Sequence, residues 1–318
     1  MAKYGPIVKC DYGPLDPKVS LEPDFFTGFE PARRKEIVAE EAAFYHGITQ
    51  PYSVDGELEK YDTSFRAGDG YEVPVKVYRP KGAKGDLPAL FFFHGGGFMT
   101  CSVETHDYVP SYLAARAGVM CFSVEYRLAP EYKYPMGLLD CYGACKWGVE
   151  QARRLHIDPE RIVVCGDSSG GNFAAAIALM ARERGDLKLW KQVLIYPALE
   201  FAGAVEKRSA QVYAPVGGVS EGPSPMLKAY LSDPAKEVSD PLVSPVLADR
   251  FDGLPQALFI EAECDALADD GLIYAKLLQD AGVPVECTVY KGMPHAFILR
   301  TYEETFQALD QICAFLKK

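Results

Sequence analysis

The chain has 318 residues, of which 48% are hydrophobic and 24% charged, and its 33 Lys and Arg against 44 Asp and Glu leave a formal net charge of −11. This length allows one large α/β domain, or a core with an accessory piece. The acidic balance excludes the basic footprint of a nucleic-acid binder, and the absence of any run of about 18 apolar residues argues against a membrane span.

The opening "MAKYGPIVKCDYGPLD" holds no apolar stretch of signal-peptide length. The nine cysteines form no CxxC pair and no zinc-like spacing. Reduced thiols in a cytoplasmic protein are therefore expected, with no metal site. Cys141 and Cys145 lie one helical turn apart, a spacing read as helix packing.

Residues 1–58 read as helices and loops, and "EPARRKEIVAEEAAFYHG" (30–47) shows a helical pattern that stops at Gly47. Strand-like runs come next at 59–65, 71–79, 88–94, 119–126, 161–165, 191–197, 256–264 and 284–290. Helical patterns near 105–117, 137–155, 171–184, 269–281 and 301–317 separate the later ones. Apolar strands alternating with helices predict a mostly parallel sheet covered on both faces. The first two strands have no helix between them, so the sheet should open with an antiparallel pair. Residues 200–253 contain no strand-like run and many glycines, prolines and acids. A stretch that long predicts an insertion leaving the core, a lid with a short helix near 225–232.

Two serines share one glycine spacing, Gly166-Asp167-Ser168-Ser169-Gly170 and Gly218-Val219-Ser220-Glu221-Gly222. Ser168 follows the strand-like "RIVVC" and precedes the small-residue helix "GNFAAAIALMARER", the context of a nucleophile elbow. Ser220 follows no strand and is punctuated by Pro223 and Pro225, so it reads as loop. Asp167 reads as a structural elbow residue without a chemical role.

A serine hydroxyl needs a base, and the base needs a carboxylate. Of His46, His94, His106, His156 and His295, only His295 lies after Ser168, directly beyond the last strand-like run. Among the acids in between, Asp186 and Asp280 end helices, and Asp233, Asp240, Asp249 and Asp252 fall in the insertion. Asp269 and Asp270 suit a helix N-terminus. Asp265 tops the strand "QALFIEAEC" and is the expected acid. Acyl transfer also needs backbone N–H groups aimed at the developing oxyanion, which "FFFHGGGFM" can supply. His94 reads as a brace for that glycine loop, not as a base. A phosphate cradle would need GxxxxGK[ST] and an immediate helix, and both are missing.

HGGG upstream of GDSSGG, with "YRLAPE" (126–131) between, "DALADDG" (265–271) and "GMPHAF" (292–297), resembles the hormone-sensitive-lipase-like esterases from about residue 70 to 317. The resemblance implies an α/β-hydrolase fold: an eight-stranded, mostly parallel sheet with helices on both faces and a helical cap. Residues 1–58 and 200–253 would be the two cap pieces around a core of 59–199 and 254–318. Ser168, Asp265 and His295 would be the triad, with the N–H groups of Gly96, Gly97 and Ser169 as the oxyanion hole. Two departures stand out: Ser169 replaces the alanine of GDSAGG, and Phe98 replaces the tryptophan of HGGGW, which should reshape the pocket.

The expected activity is a cofactor-free serine carboxylesterase acting on short- to medium-chain esters through an acyl-enzyme, as a monomer or homodimer. The cap aromatics Phe25, Phe26, Phe29, Phe44, Tyr45, Phe201 and Tyr213 should mostly fill the cap's own core, with a few walling the acyl pocket. Hydrolysis should fall as pH drops through about 6.5, where a histidine base protonates. An amide, carbamate or lactone hydrolase with the same triad stays open. So does a ligand-binding receptor on a hydrolase scaffold, although plant gibberellin receptors lack the histidine present here. A peptidase would need a large extra domain for which the chain has no room. Cys165 and Cys264 lie just before Ser168's elbow and Asp265, and as strand residues should be buried and inert.

Overall fold

Strands as apolar as "ALFFF" and "VLI" must be covered on both sides. The computed structural model, which describes residues 10–19, 30–217 and 225–318, places them in one sheet. Its strands are β1 (Leu58–Arg66), β2 (Glu72–Pro80), β3 (Leu87–Phe93), β4 (Met120–Val124), β5 (Ile157–Asp167), β6 (Lys191–Ile195), β7 (Gln256–Cys264) and β8 (Val285–Pro294). They lie in the order β1-β2-β4-β3-β5-β6-β7-β8. β1 with β2 and β2 with β4 are antiparallel, and the remaining neighbours are parallel. The expected antiparallel opening pair is present, and β2 adds a second antiparallel pairing to it.

The helices are α1 (Arg34–Thr49), α2 (Tyr108–Ala117), α3 (Met136–Glu150), α4 (Ala152–Leu155), α5 (Ser169–Arg184), α6 (Arg208–Gly217), α7 (Pro225–Tyr230), α8 (Pro234–Glu237), α9 (Ala268–Asp280) and α10 (Glu303–Lys317). Alternation along β5 divides the core. Ile162 and Val164 face the layer of α3, α5 and α9. Val163 and Cys165 face α2 and α10. Cys141 and Cys145 are fully buried in the first of these layers as free thiols. No helix of the described residues is long and apolar enough to cross a membrane.

Several elements differ from the pattern read in the sequence. α1 continues through Gly47 to Thr49, because Gly47 stays helical instead of turning left-handed as a C-cap would. The run 137–155 breaks at Gln151 into α3 and α4. β8 extends past Tyr290 to Pro294, helped by a register shift that pairs Cys264 with Pro294. The interval 200–253 has no strand among its described residues, and it carries α6 and α8 besides the short α7. Its Val243 and Val246 are buried in the layer of α5. Residues 10–19 lie against the ends of β7 and β8: Asp16 N donates to Gly292 O (3.0 Å), and Tyr12 Oη donates to Asp269 (2.8 Å).

The connections place the crevice. From β3 the chain passes to β4 on one side, while from β5 it passes to β6 on the other. The carboxyl ends of β3 and β5 are side by side at this switch, with Phe93 opposite Gly166. Open α/β sheets bind their ligands at such a point.

Candidate active site

β5 ends at Asp167 and α5 begins at Ser169, leaving Ser168 alone in the turn with φ 53° and ψ −117°. A non-glycine residue held there costs about 1–3 kcal/mol, so the surroundings must enforce it. They do so by close approach. A Cβ on Gly170 would lie 1.9 Å from Phe93 O, and one on Gly166 would lie 2.3 Å from Gly170 O. Glycine is what lets β3, the elbow and α5 meet. Ser168 N donates to Ile195 O at 2.9 Å, tying the turn to β6.

Three loops at the same sheet edge converge. Asp265 lies just past the end of β7 and His295 just past the end of β8. His295 Nδ1 lies 2.5 Å from Asp265 Oδ2, and His295 Nε2 lies 2.9 Å from Ser168 Oγ. The carboxylate fixes the tautomer with the proton on Nδ1, which frees Nε2 to accept from the serine. The Asp265 side chain is almost wholly buried, and its Oδ1 accepts Leu267 N at 2.8 Å. Burial alone would lower the His295 pKa. The neighbouring Asp265 charge and hydrogen bond outweigh it, and the net shift is upward from 6.5.

The glycine loop after β3 is built peptide by peptide. Gly96 takes φ +111°, and a Cβ there would lie 2.3 Å from Thr100 O. Gly95 O accepts from His94 Nδ1 (2.7 Å), and Gly96 O accepts from both Met99 N and Thr100 N (3.0 Å each). In a trans peptide the N–H points opposite to the C=O. Holding these two carbonyls therefore orients the N–H groups of Gly96 and Gly97 the other way. Ser169 N–H belongs to the first turn of α5, which has no intrahelical acceptor. His94 is fully buried and stacked on Tyr126 (4.3 Å between rings). Burial, and next the nearby His106, push its pKa down to about 3, so it braces the loop as a neutral ring.

Several contacts went unread in the sequence. Asp167 accepts Gly95 N (2.9 Å) and lies 3.2 Å from His106 Nε2, which joins the elbow to the glycine loop. Burial raises its pKa, but His106 and the Gly95 N–H leave it below the ordinary aspartate value. A charged residue ending a buried strand was the available signal, since it must find partners. Ser169 Oγ accepts Phe98 N at 3.3 Å, a bond alanine could not make. The Tyr196 ring packs 4.8 Å from that of His295. Left-handed backbone gathers here as well: Phe98 and Cys101 in the glycine loop, Ser168, Tyr196, and Ala296 just after the histidine. Ser220, Phe25, Phe26 and Phe29 lie outside the described residues.

Cys165 and Cys264 are fully buried, and burial pushes both thiols above their ordinary value. A bulky maleimide added to the folded protein should leave both unlabelled, as peptide mass mapping would report. Inhibition that disappears in a Cys165→Ala, Cys264→Ala double variant would contradict this burial.

Comparison with known proteins agrees with the fold. A family profile described as an alpha/beta hydrolase fold matches residues 90–299. Carboxylesterase NlhH of Mycobacterium tuberculosis is 37% identical over 234 residues, 71% of this chain and 72% of that protein. An ethyl acetate hydrolase of Pseudomonas putida is 37% identical over 242 residues, 74% and 75% of the two chains. The solved structure of a hyperthermophilic esterase from Pyrobaculum calidifontis superposes with a TM-score of 0.80 at 37% identity, covering 89% of this chain and 92% of the other. The chain belongs to the hormone-sensitive-lipase-like branch of the α/β-hydrolases, a family of carboxylic ester hydrolases.

Proposed function

We propose that this protein is a serine carboxylesterase that cleaves short- to medium-chain esters through an acyl-enzyme, with Ser168 as nucleophile, His295 as base and acid, and Asp265 as the carboxylate partner. The observation that carries this reading is the continuous chain Ser168 Oγ–His295–Asp265 at 2.9 and 2.5 Å. Ser168 Oγ attacks the acyl carbonyl as its proton passes to His295 Nε2. The tetrahedral oxyanion accepts the N–H groups of Gly96, Gly97 and Ser169, which the held carbonyls and the helix start preorganise. His295 then protonates the leaving alcohol. Water, deprotonated by the same nitrogen, releases the acid and restores the serine.

Residues 1–58 and 200–253 act as the cap over the core of 59–199 and 254–318. Two contacts support this: Tyr213 of α6 donates to Gly13 O (2.7 Å), and Tyr230 of α7 stacks on Phe98 at 3.9 Å and 6°. Tyr213 packs with Cys264 and Ala266, and Tyr45 belongs to the layer of α2 and α10, so neither walls an acyl pocket. Phe98 stacks on Tyr230 and lies edge-on to Phe201, an aromatic cluster that joins the glycine loop to the 200–253 segment. Nine free cysteines fit a reducing cytoplasm, and a site built from one chain works in a monomer or a homodimer.

The test is covalent. An organophosphate should abolish hydrolysis with one adduct, on Ser168 by mass spectrometry, and an adduct elsewhere would refute the assignment. Short acyl chains should also win: if the cap leaves an acyl site of limited depth, kcat/KM on a butyrate ester should exceed that on an emulsified long-chain triglyceride.

A further inference from the structure

Arg34, the first residue of α1, does not point into solvent. Its Nε donates to Met99 O (2.7 Å), and its Nη2 donates to Ala129 O (2.5 Å) and to the Glu131 carboxylate (2.8 Å). Met99 lies two residues beyond Gly97. The peptide whose carbonyl Arg34 holds is the one whose N–H, that of Thr100, donates to Gly96 O (3.0 Å). Gly96 O in turn belongs to the peptide that ends in Gly97 N–H. A line of hydrogen bonds therefore runs from the guanidinium through Met99 C=O, Thr100 N–H and Gly96 C=O to Gly97 N–H.

We infer that Arg34 is a positioning residue for the oxyanion hole, aligning and polarising the Gly97 N–H through the intervening Met99–Thr100 peptide. This role rests on the reading of Gly97 N–H as an oxyanion donor. A cation at the carbonyl end of a hydrogen-bonded peptide draws electron density toward itself, and each bond in the line strengthens the next, by about 10–30% per bond. A charged donor also holds Met99 O more firmly than a neutral one. The same carbonyl stretch is gripped from two other sides. Phe98 O accepts Ala129 N (2.9 Å), and Phe98 N reaches Ser169 Oγ (3.3 Å). Arg34 adds the grip that comes from α1, outside the hydrolase core. The seating of α1 thus enters the chemical step and not only substrate access.

Removing an oxyanion donor outright costs about 10²–10³ in kcat, so weakening one through Arg34 should cost less. Arg34→Met is expected to lower kcat on a short ester about tenfold with KM within about twofold, and Arg34→Lys, which keeps the charge, should recover part of it. Thermal unfolding of both variants checks that they fold. The discriminating readout is the infrared stretch of a ¹³C-labelled acyl carbonyl in a slowly hydrolysed acyl-enzyme. Oxyanion donors lower that frequency, and it should rise in Arg34→Met and fall partly back in Arg34→Lys. A wild-type carbonyl at its free-ester frequency would mean that the oxyanion reading itself is wrong. A lowered wild-type frequency that is unchanged in folded Arg34→Met, or an unchanged kcat, would overturn the role of Arg34 alone.

Discussion

Ser168→Ala is expected to lower kcat by roughly 10⁵-fold or more, because a triad works as a unit and loses nearly everything with its nucleophile. The protein should still fold. Among the described residues the Ser168 hydroxyl bonds to His295 Nε2, and the elbow is held by its backbone and glycines. Alanine at φ 53° carries the same Cβ penalty as serine, so backbone strain is unchanged. Thermal unfolding within a few degrees of wild type, beside a nearly dead enzyme, is the expected pair of results. Ser220→Ala is the control, sharing the glycine spacing without a preceding strand. Its kcat should be close to wild type, with KM moving at most. A dead Ser220→Ala enzyme beside a live Ser168→Ala one would invert the assignment.

The proposed site residues that stand at the carboxyl end of a strand were legible in the sequence. Ser168, Asp265 and His295 each stand just beyond an apolar run, and the structure brings the three within hydrogen-bond distance. Small residues at Gly166 and Gly170 announce the elbow, because nothing larger fits against Phe93 O. Contacts between groups far apart in sequence were not legible. Arg34 lies 65 residues from Met99, and a helical arginine among "RRKE" reads as a solvated charge. Asp167 lies 72 residues from Gly95, and only the pairing of β3 with β5 brings them together. α6 was hidden for a local reason, since Pro215 and Gly217 within it read as loop. Phe98 shows a further limit. Its place after HGGG draws attention to it, but its φ of 64° and its stacking on Tyr230, 132 residues away in the 200–253 segment, could not be read from the sequence.

Asp265→Asn tests the other end of the hydrogen-bond chain and predicts a change in pH dependence as well as rate. In the wild-type enzyme Asp265 accepts from both Leu267 N and His295 Nδ1. Asparagine has one acceptor oxygen, and if Leu267 N keeps it, the amide NH₂ faces His295 Nδ1. That nitrogen must then accept, the ring proton moves to Nε2, and Nε2 can no longer take the proton of Ser168. A loss of about 10⁴ in kcat with the geometry intact is expected, the size found for this kind of change in a serine protease triad. The pH profile moves for a separate reason. Burial lowers the His295 pKa, while the Asp265 charge, its hydrogen bond and the more distant Asp167 charge raise it, and together these raising influences prevail. The base must be neutral, so wild-type kcat/KM should fall as pH drops through a value above 6.5, at a higher pH than an unperturbed histidine would give. Without the carboxylate, burial is left as the larger influence, and the acid limb of the residual activity should shift to lower pH. The pH dependence of kcat/KM for both proteins on one short ester measures this. An Asp265→Asn enzyme that keeps both its rate and the wild-type acid limb would show that another carboxylate orients His295, and the buried Asp167, whose charge also reaches that ring, would be the first to examine.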